Sequence, residues 1–341
     1  MPEILAEIGE FALIHRFHKL LKKEGVRCPE VTLGIGDDCA SFLPDAGYEI
    51  LVTCDCMVEG RHYLPEYISP LDLGRRAMAV NISDIGAMGG QPLYAVVSLG
   101  LKADTPVTEL EDMYRGFLTE LNPFRASIIG GNLTRTGDGM FINITLMGKA
   151  KKGKIIRRST AEAGDAILVT GYPGQAAAGL QLLLNAIPGE DISDHPLVRA
   201  YNIPCHRARE GEAIAHSGYA TSMIDISDGF LGDLGHICQR SGVGAVLDQE
   251  KLPVSEDLRK AASDLGRDPY NMFLRQSDDY ELIITCRSEH VSDIRSAIVA
   301  LSDIIITEVG RITDSEGKIE IIGVNGSRYE PATGWDHFTD N

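Results

Sequence analysis

Apolar strand patterns that run into an acid or a glycine recur along this chain, alternating with helical spacings, and that alternation limits the fold to mixed α/β classes. Glu49–Cys54 is rich in Ile, Leu, Val and Thr and leads to Asp55. Ser127–Ile129 leads into Gly130-Gly131-Asn132, and Ser222–Ile226 into Ser227-Asp228. Tyr94–Leu101, Phe141–Met147, Ala166–Thr170, Gly244–Leu247, Tyr280–Cys286 and Ile304–Val309 are further strand runs. Helical spacing fills the intervals. Gly9–Lys23 carries Phe11, Ile14, Phe17 and Leu21 with Gly25 as a stop, and Pro70–Met88 closes on Gly89-Gly90. Val107–Leu121, Gln175–Asn185, Arg207–His216, Asp228–Arg240 and Val291–Leu301 follow. At 341 residues the chain exceeds what one core ordinarily supports. Two α/β domains are expected, 1–150 and 151–341, with the basic stretch Lys149–Thr160 as the junction.

Lys plus Arg number 32 and Asp plus Glu 49, a formal net charge of −17. That acidity repels phosphate backbones and anionic lipid, so neither nucleic acid nor membrane is an expected partner. Small anionic substrates stay open to it, provided divalent cations stand between them and the carboxylates. The seven cysteines (28, 39, 54, 56, 205, 238 and 286) form no CxxC pair and fit reduced thiols in a cytoplasm. Met1-Pro2-Glu3-Ile4-Leu5 lacks the basic start of a signal peptide, and no apolar run approaches the ~20 residues of a spanning helix. A soluble, cytoplasmic protein is expected.

Acids concentrate where strand patterns end. Gly34-Ile-Gly36-Asp37-Asp38 places two adjacent carboxylates after a glycine-bearing loop. Such a turn is ordinarily just solvated, but two desolvated neighbouring acids need a compensating cation. Asp55 follows Thr53-Cys54; Asn81 and Asp84 stand three apart on one face of an apolar helix. Asp225 and Asp228 flank Ser227, and Gln276-Ser277-Asp278-Asp279-Tyr280-Glu281 is a further acidic stretch. Oxygen donors of this kind suit Mg²⁺, and a site of several such acids performs phosphoryl transfer by positioning and charge neutralisation, without a protein nucleophile. No Walker A run and no His-Arg-Asp kinase signature is present. Asn81-Ile-Ser-Asp84-Ile-Gly and Asp225-Ile-Ser-Asp228-Gly echo one another, a hint of two related halves.

In order along the chain, Gly9-Glu10-Phe11, Gly34-Ile-Gly-Asp-Asp-Cys-Ala40, Asp55-Cys-Met-Val-Glu-Gly-Arg-His62, Ala79-Val-Asn-Ile-Ser-Asp84, Gly130-Gly131, Arg158-Ser159, Val169-Thr-Gly171, Asp225-Ile-Ser-Asp-Gly229, Asp279-Tyr-Glu-Leu282 and Gly334-Trp-Asp-His-Phe338 resemble the thiamine-monophosphate kinase family, within the aminoimidazole ribonucleotide synthetase superfamily. The resemblance implies a two-domain α/β fold with mixed sheets, dimerising through the N-terminal sheets with ATP bound close to the subunit interface. It implies direct in-line transfer of the ATP γ-phosphoryl to thiamine monophosphate. Mg²⁺ ligands would be Asp38, Thr53, Cys54, Asp55, Asp84, Asn132, Asp225 and Asp228. ATP contacts would be Gly131, Asn132, Arg158 and Ser227, and acceptor contacts His62, Asp278 and Trp335. An arginine fork suits phosphate, and the single Trp offers a flat face to a heterocyclic cation. Family members usually carry Asp at Asn132, Thr at Cys54 and Gly-Gly-Glu at 276–278, so this chain departs from the pattern around the metals and the acceptor. Two other readings stay compatible with the sequence: a related ATP-dependent enzyme with another phosphorylated acceptor, and a nucleotide- and Mg²⁺-binding protein without turnover.

Overall fold

The computed structural model describes residues 10–25, 31–33, 41–42, 45–137, 139–187, 191–275, 277–299 and 301–331. Contacts divide the chain into two compact units, one of residues 1–85 with 90–152, the other of 86–89 with 153–341.

The first unit is a four-stranded sheet of order β3-β6-β4-β5, from β3 (Tyr48–Val58), β4 (Gln91–Leu101), β5 (Ser127–Arg135) and β6 (Phe141–Lys151). Only β4 and β5 run parallel; β6 is antiparallel to both its neighbours. Two short strands, β1 (Val31–Leu33) and β2 (Ser41–Phe42), pair separately. One sheet face is lined by buried Leu51, Ala95, Val97, Leu99, Ile142, Ile144 and Leu146. Helices α1 (Glu10–Glu24), α2 (Pro70–Ala87) and α3 (Val107–Leu121) bury their own apolar stripes, including Leu13, Phe17, Met78, Ile82, Ile85, Leu110, Met113 and Phe117. Phe17 stacks on Tyr114 with centroids 3.7 Å apart. The opposite sheet face stays open, with Tyr48, Ile50, Val52 and Val58 all exposed and Val52 at 65%.

The strands run further than their apolar cores suggest. Tyr48–Val58 pairs with Phe141–Lys151 residue for residue, so Asp55 lies inside a strand rather than at its end. Gly130-Gly131-Asn132 likewise lies within β5, not after it. Cross-strand hydrogen bonding carried these polar and glycine positions into the ladder, a tertiary effect that local propensity does not register.

The second unit is a seven-stranded sheet of order β13-β12-β9-β11-β7-β10-β8. Its strands are β7 (Ala166–Thr170), β8 (Ala220–Asp225), β9 (Gly244–Asp248), β10 (Leu282–Cys286), β11 (Ile306–Thr313), β12 (Ile319–Ile322) and β13 (Arg328–Tyr329). The helices are α4 (Gln175–Asn185), α5 (Pro196–Asn202), α6 (Ala208–Ser217), α7 (Phe230–Ser241), α8 (Glu256–Asp264), α9 (Pro269–Leu274) and α10 (Val291–Val299). Central strands β7 and β10 are buried along their whole length, because the sheet is covered on both faces. Ile167, Val169, Ile224 and Ile283 join one core with α7 and α8. Ala166, Leu168, Met223, Leu282 and Ile284 join the other with α6 and α10. The two echoed sequences adopt different backbones: Asn81–Gly86 is helical, whereas Asp225–Gly229 is a strand end and a turn.

Helices α2 and α3 cross where Gly74 meets the Met113 carbonyl and Gly116 meets the Leu71 carbonyl, each so close that a Cβ would overlap the facing backbone. Gly116→Val should therefore lower the unfolding free energy by about 1–3 kcal/mol or more through forced separation of the helices. Urea denaturation measures it, and an unchanged midpoint would contradict this account of the crossing.

Candidate functional site

In the first unit, strand alternation decides which residues meet. Thr53 and Asp55 point to the covered face of β3, and the Thr53 hydroxyl donates to the Asp84 carboxylate on α2. Thr53, Asp55 and Asp84 are all half-buried, an oxygen-rich group beside an apolar helix. Cross-strand register runs Asp55, Ile144, Val97, Gly131, so Gly131 shares the row of Asp55. A Cβ at Gly131 would strike the Val97 carbonyl, so only glycine fits there.

Cys54 and Asn132 fall on the other face. Cys54 Sγ lies 3.4 Å from Asn143 Oδ1 and 3.5 Å from Thr145 Oγ1. Asn132 is in the row Cys56, Asn143, Ser98. The unit thus does not bring Cys54 or Asn132 to the Asp55 face as a joint ligand set would require; a period-two strand cannot present Thr53, Cys54 and Asp55 on one side. The Cys56 thiol is pushed up by burial and by the neighbouring Cys54 and Asp55.

His62 lies in the turn after β3, where its Nδ1 accepts the Val58 N–H at 3.0 Å and its own N–H donates to the Val58 carbonyl. With Nδ1 acting as acceptor, the neutral ring carries its proton on Nε2. Asp38, Gln276 and Trp335 lie outside the described residues.

In the second unit the site elements meet at one end of the sheet. Leu282 pairs with Asp225 and donates its N–H to the Thr170 hydroxyl at 2.8 Å, so β7 and β8 deliver their carboxyl ends here, where ligands of α/β sheets gather. Asp225 is buried, Ser227 and Asp228 half-buried in the turn before α7. The segment 277–281 runs alongside: Tyr280 donates its N–H to the Ile226 carbonyl, and Ile226 donates to the Glu281 carbonyl, both at 2.8 Å. Tyr280 takes a left-handed φ of 55°, an uncommon conformation for a bulky residue that these two bonds hold in place.

Glu281 anchors the segment. Its carboxylate accepts Arg207 Nε at 2.7 Å, Arg207 Nη2 at 2.5 Å and the Thr170 hydroxyl at 2.5 Å. Burial opposes the Arg207 charge, but the Glu281 carboxylate more than offsets it and raises the guanidinium above its ordinary value. Asp279 accepts the Gly174 N–H at 2.6 Å and the Ala176 N–H at 3.0 Å, while Ser277 Oγ accepts the Ala177 N–H at 3.2 Å. Three orphan donors around the start of α4 are thereby satisfied from a distant segment. Asp278 and Ser277 border a cavity of about 570 Å³ with Ala177, Gln181, Tyr201 and Arg275. Arg158 is exposed, its carbonyl accepting the Ser241 hydroxyl at 3.0 Å.

The donor set fits a hard cation. Burial, then the charges of Asp225 and Asp228, push the Asp233 carboxyl up to about 8 against two backbone donors. At neutral pH that carboxyl keeps its proton unless a divalent cation among these acids displaces it. Asp228, Asp233 and His236 bring potential ligand atoms within 4.8 Å of one another. The sequence shows Asp233 as an acid one turn beyond Asp228 without assigning it to the site, and it gives no sign of His236 or of the Arg207–Glu281 pair.

Residues 36–150 match the family described as AIR synthase related protein, N-terminal domain, and residues 162–322 its C-terminal domain. The thiamine-monophosphate kinase of Aquifex aeolicus is 32% identical over 335 residues, covering 98% of this chain and 99% of the relative. That of Escherichia coli K12 is 35% identical over 336 residues, covering 97% and 98%. The solved structure of AaThiL complexed with AMPPCP and TMP gives a TM-score of 0.75 at 32% identity, covering 98% of this chain and 99% of that one.

Asp279 provides a pH test of the packing. Burial raises its carboxyl from 3.8 to about 6. Between about pH 4 and 6 the folded chain keeps a proton that the unfolded chain has released, so this group's contribution to stability falls as pH rises through that window. The unfolding free energy of the wild type relative to Asp279→Asn should fall by about 2–3 kcal/mol across it. Urea denaturation at stepped pH measures this, and a flat difference would contradict it.

Proposed function

The chain belongs to the thiamine-monophosphate kinase family, and from that premise we infer that it transfers the γ-phosphoryl group of ATP to thiamine monophosphate, giving thiamine diphosphate. The observation that carries this reading is the near full-length match to kinases of that name, 98% of this chain against 99% of the Aquifex aeolicus enzyme. The geometry supports it: acids cluster on oxygen-rich surfaces, and the turn bearing Asp278 is knitted to the turn bearing Asp225 and Asp228.

In this reading Asp38, Thr53, Asp55 and Asp84 of the first unit, and Asp225 and Asp228 of the second, hold Mg²⁺. When bound, Mg²⁺ withdraws charge from the β- and γ-phosphates and favours in-line displacement. Asp84 receives the Thr53 hydroxyl, which orients the carboxylate before any ligand arrives. Gly131 leaves a strand backbone without a side chain beside the Asp55 row. Ser227 contacts ATP through the turn, and Arg158, on an exposed segment pinned by Ser241, presents its guanidinium to phosphate. His62 Nε2 donates to the acceptor, Asp278 attracts its cationic ring system at the cavity, and Trp335 stacks on it. Cys54 and Asn132 sit on the open face and are left out of the Asp55 group. Residues 1–150 then form the ATP- and Mg²⁺-binding, dimerising domain and 151–341 the C-terminal α/β domain.

The open face of the first sheet suits a second copy of this chain. Tyr48, Ile50, Val52 and Val58 expose apolar surface along one strand, the pattern of a face covered in an assembly. A homodimer built on it, in a cytoplasm that keeps Cys54 and Cys56 reduced, is the assembly we propose. Among the described residues no helix is long and apolar enough to cross a membrane.

Purified protein given ATP, Mg²⁺ and thiamine monophosphate should form thiamine diphosphate; nucleotide binding without product would overturn the kinase reading. Asp55→Asn and Asp84→Asn should each lower kcat by about 10²-fold or more, and near-normal turnover across a Mg²⁺ titration would remove them from the site. Val52→Glu should convert a dimer into a monomer in light scattering, and an unchanged mass would place the interface elsewhere.

A further inference from the structure

Asp233 is a buried acid that the phosphoryl-transfer chemistry does not itself require. It lies in the first turn of α7 and is 2% exposed. A carboxylate at this position would ordinarily face the free amides at the start of its own helix. Here Oδ2 reaches back past the helix start and accepts the N–H groups of Ser227 and Asp228, each at 3.0 Å. Its own N–H donates to the Gly229 carbonyl, also at 3.0 Å. Gly229, between them, has φ 100° and ψ 153°, a region that only glycine enters without strain. One carboxylate oxygen therefore fixes two successive peptide units, which join Asp225, Ser227 and Asp228 to a helix packed in the core through Phe230, Leu234 and Ile237.

The chain retains this acid at a cost. Asp225 and Asp228 are close enough to repel it, and its two hydrogen bonds come from backbone amides and not from a cation. A neutral side chain with one acceptor oxygen could make the same two hydrogen bonds, and that possibility separates the two roles Asp233 could play. As a ligand it needs its charge and both oxygens; as a brace it needs one acceptor oxygen in this place.

We propose that Asp233 is a positioning residue for phosphoryl transfer: through the amides of Ser227 and Asp228 it sets the turn that presents Asp225, Ser227 and Asp228 to the Mg²⁺–nucleotide. The proposal rests on the reading of that turn as the nucleotide and metal site. Its action on ATP is indirect, so its loss changes where the turn sits and not which groups the turn carries. The acceptor side, held by Asp279, Ser277 and Glu281, keeps its own anchors when Asp233 is removed.

The test compares Asp233→Ala with Asp233→Asn in the full chain, by amide hydrogen exchange over 225–229 in metal-free protein and by steady-state kinetics. Asp233→Ala should lose protection at Ser227 and Asp228 and raise the KM for ATP and the half-saturating Mg²⁺ concentration by about 10- to 100-fold, the range for residues that orient metal ligands. The KM for thiamine monophosphate should change far less. Asp233→Asn, which keeps an acceptor oxygen, should restore protection and bring the KM for ATP back to within a few-fold of wild type. Wild-type protection and ATP dependence in Asp233→Ala would overturn the proposal. So would an Asp233→Asn protein with protected amides that binds one fewer Mn²⁺ per chain in the presence of AMPPCP, because Asp233 would then be a ligand. If Asp233→Ala does not fold, Asp233→Asn decides alone by the same two criteria. A wild-type protein that makes no thiamine diphosphate would overturn the kinase reading, while exchange and Mn²⁺–AMPPCP binding still decide the role of Asp233.

Discussion

The buried ion pair between Glu281 and Arg207 is the interaction on which the arrangement of the second unit's site depends. Removing either partner would strand a charge in the core, an outcome that typically costs several kcal/mol. With both present, Glu281 is held on three sides by Arg207 and Thr170. Its backbone carbonyl is then a fixed acceptor for Ile226, and Tyr280 returns the bond. The acid-bearing turn after β8 and the acid-bearing segment before β10 are therefore one structure, though the bonded Ile226 and Tyr280 stand 54 positions apart in the chain. Asp279 and Ser277 extend it to the start of α4. Each of these contacts is a polar group satisfied inside the protein, which makes the arrangement rigid before a ligand arrives.

Rigid turns carrying several acids have an electrostatic consequence. The chain has a net charge of −17, and the turns concentrate negative charge where solvent is limited. Burial, and then the charges of Asp225 and Asp228, raise the proton affinity of Asp233. In the first unit, Thr53, Asp55 and Asp84 form a smaller group against an apolar helix. A polyphosphate would be repelled by either group alone. Divalent cations reverse that relation, so ATP and Mg²⁺ belong together in the proposed chemistry.

Much of this was legible in the sequence, and the reasons for the rest are physical. Alternating strand and helix patterns located most of the elements, because the apolar stripes of α3 and the uninterrupted runs of β7 and β10 are set by burial alone. Asp55 and Gly130-Gly131-Asn132 were read as lying at or beyond strand ends because acids and glycines disfavour strands locally; pairing with β6 and β4 overrode that preference. The same extension explains why Cys54 and Asn132 ended on the face away from Asp55. Helices α8 and α9 were not anticipated, although Ser255 and Asp268 cap them through local side-chain bonds. Asp233 was visible as an acid one turn beyond Asp228, but its bonds to the Ser227 and Asp228 amides depend on how the turn folds back on the helix. The Arg207–Glu281 pair left no spacing pattern, since its partners lie 74 residues apart. Ser277, a departure from the family pattern, proved to be a cap for α4, a role that its sequence context conceals.

The central claim is that these carboxylates receive a nucleotide only through divalent cations. Isothermal titration of AMPPCP into the full-length protein, with Mg²⁺ or with EDTA, tests it most directly. Binding with Mg²⁺ that weakens at least about 100-fold in EDTA, in keeping with the loss of charge compensation at an acid-lined site, is the predicted result. Equal affinity in both conditions would contradict the account.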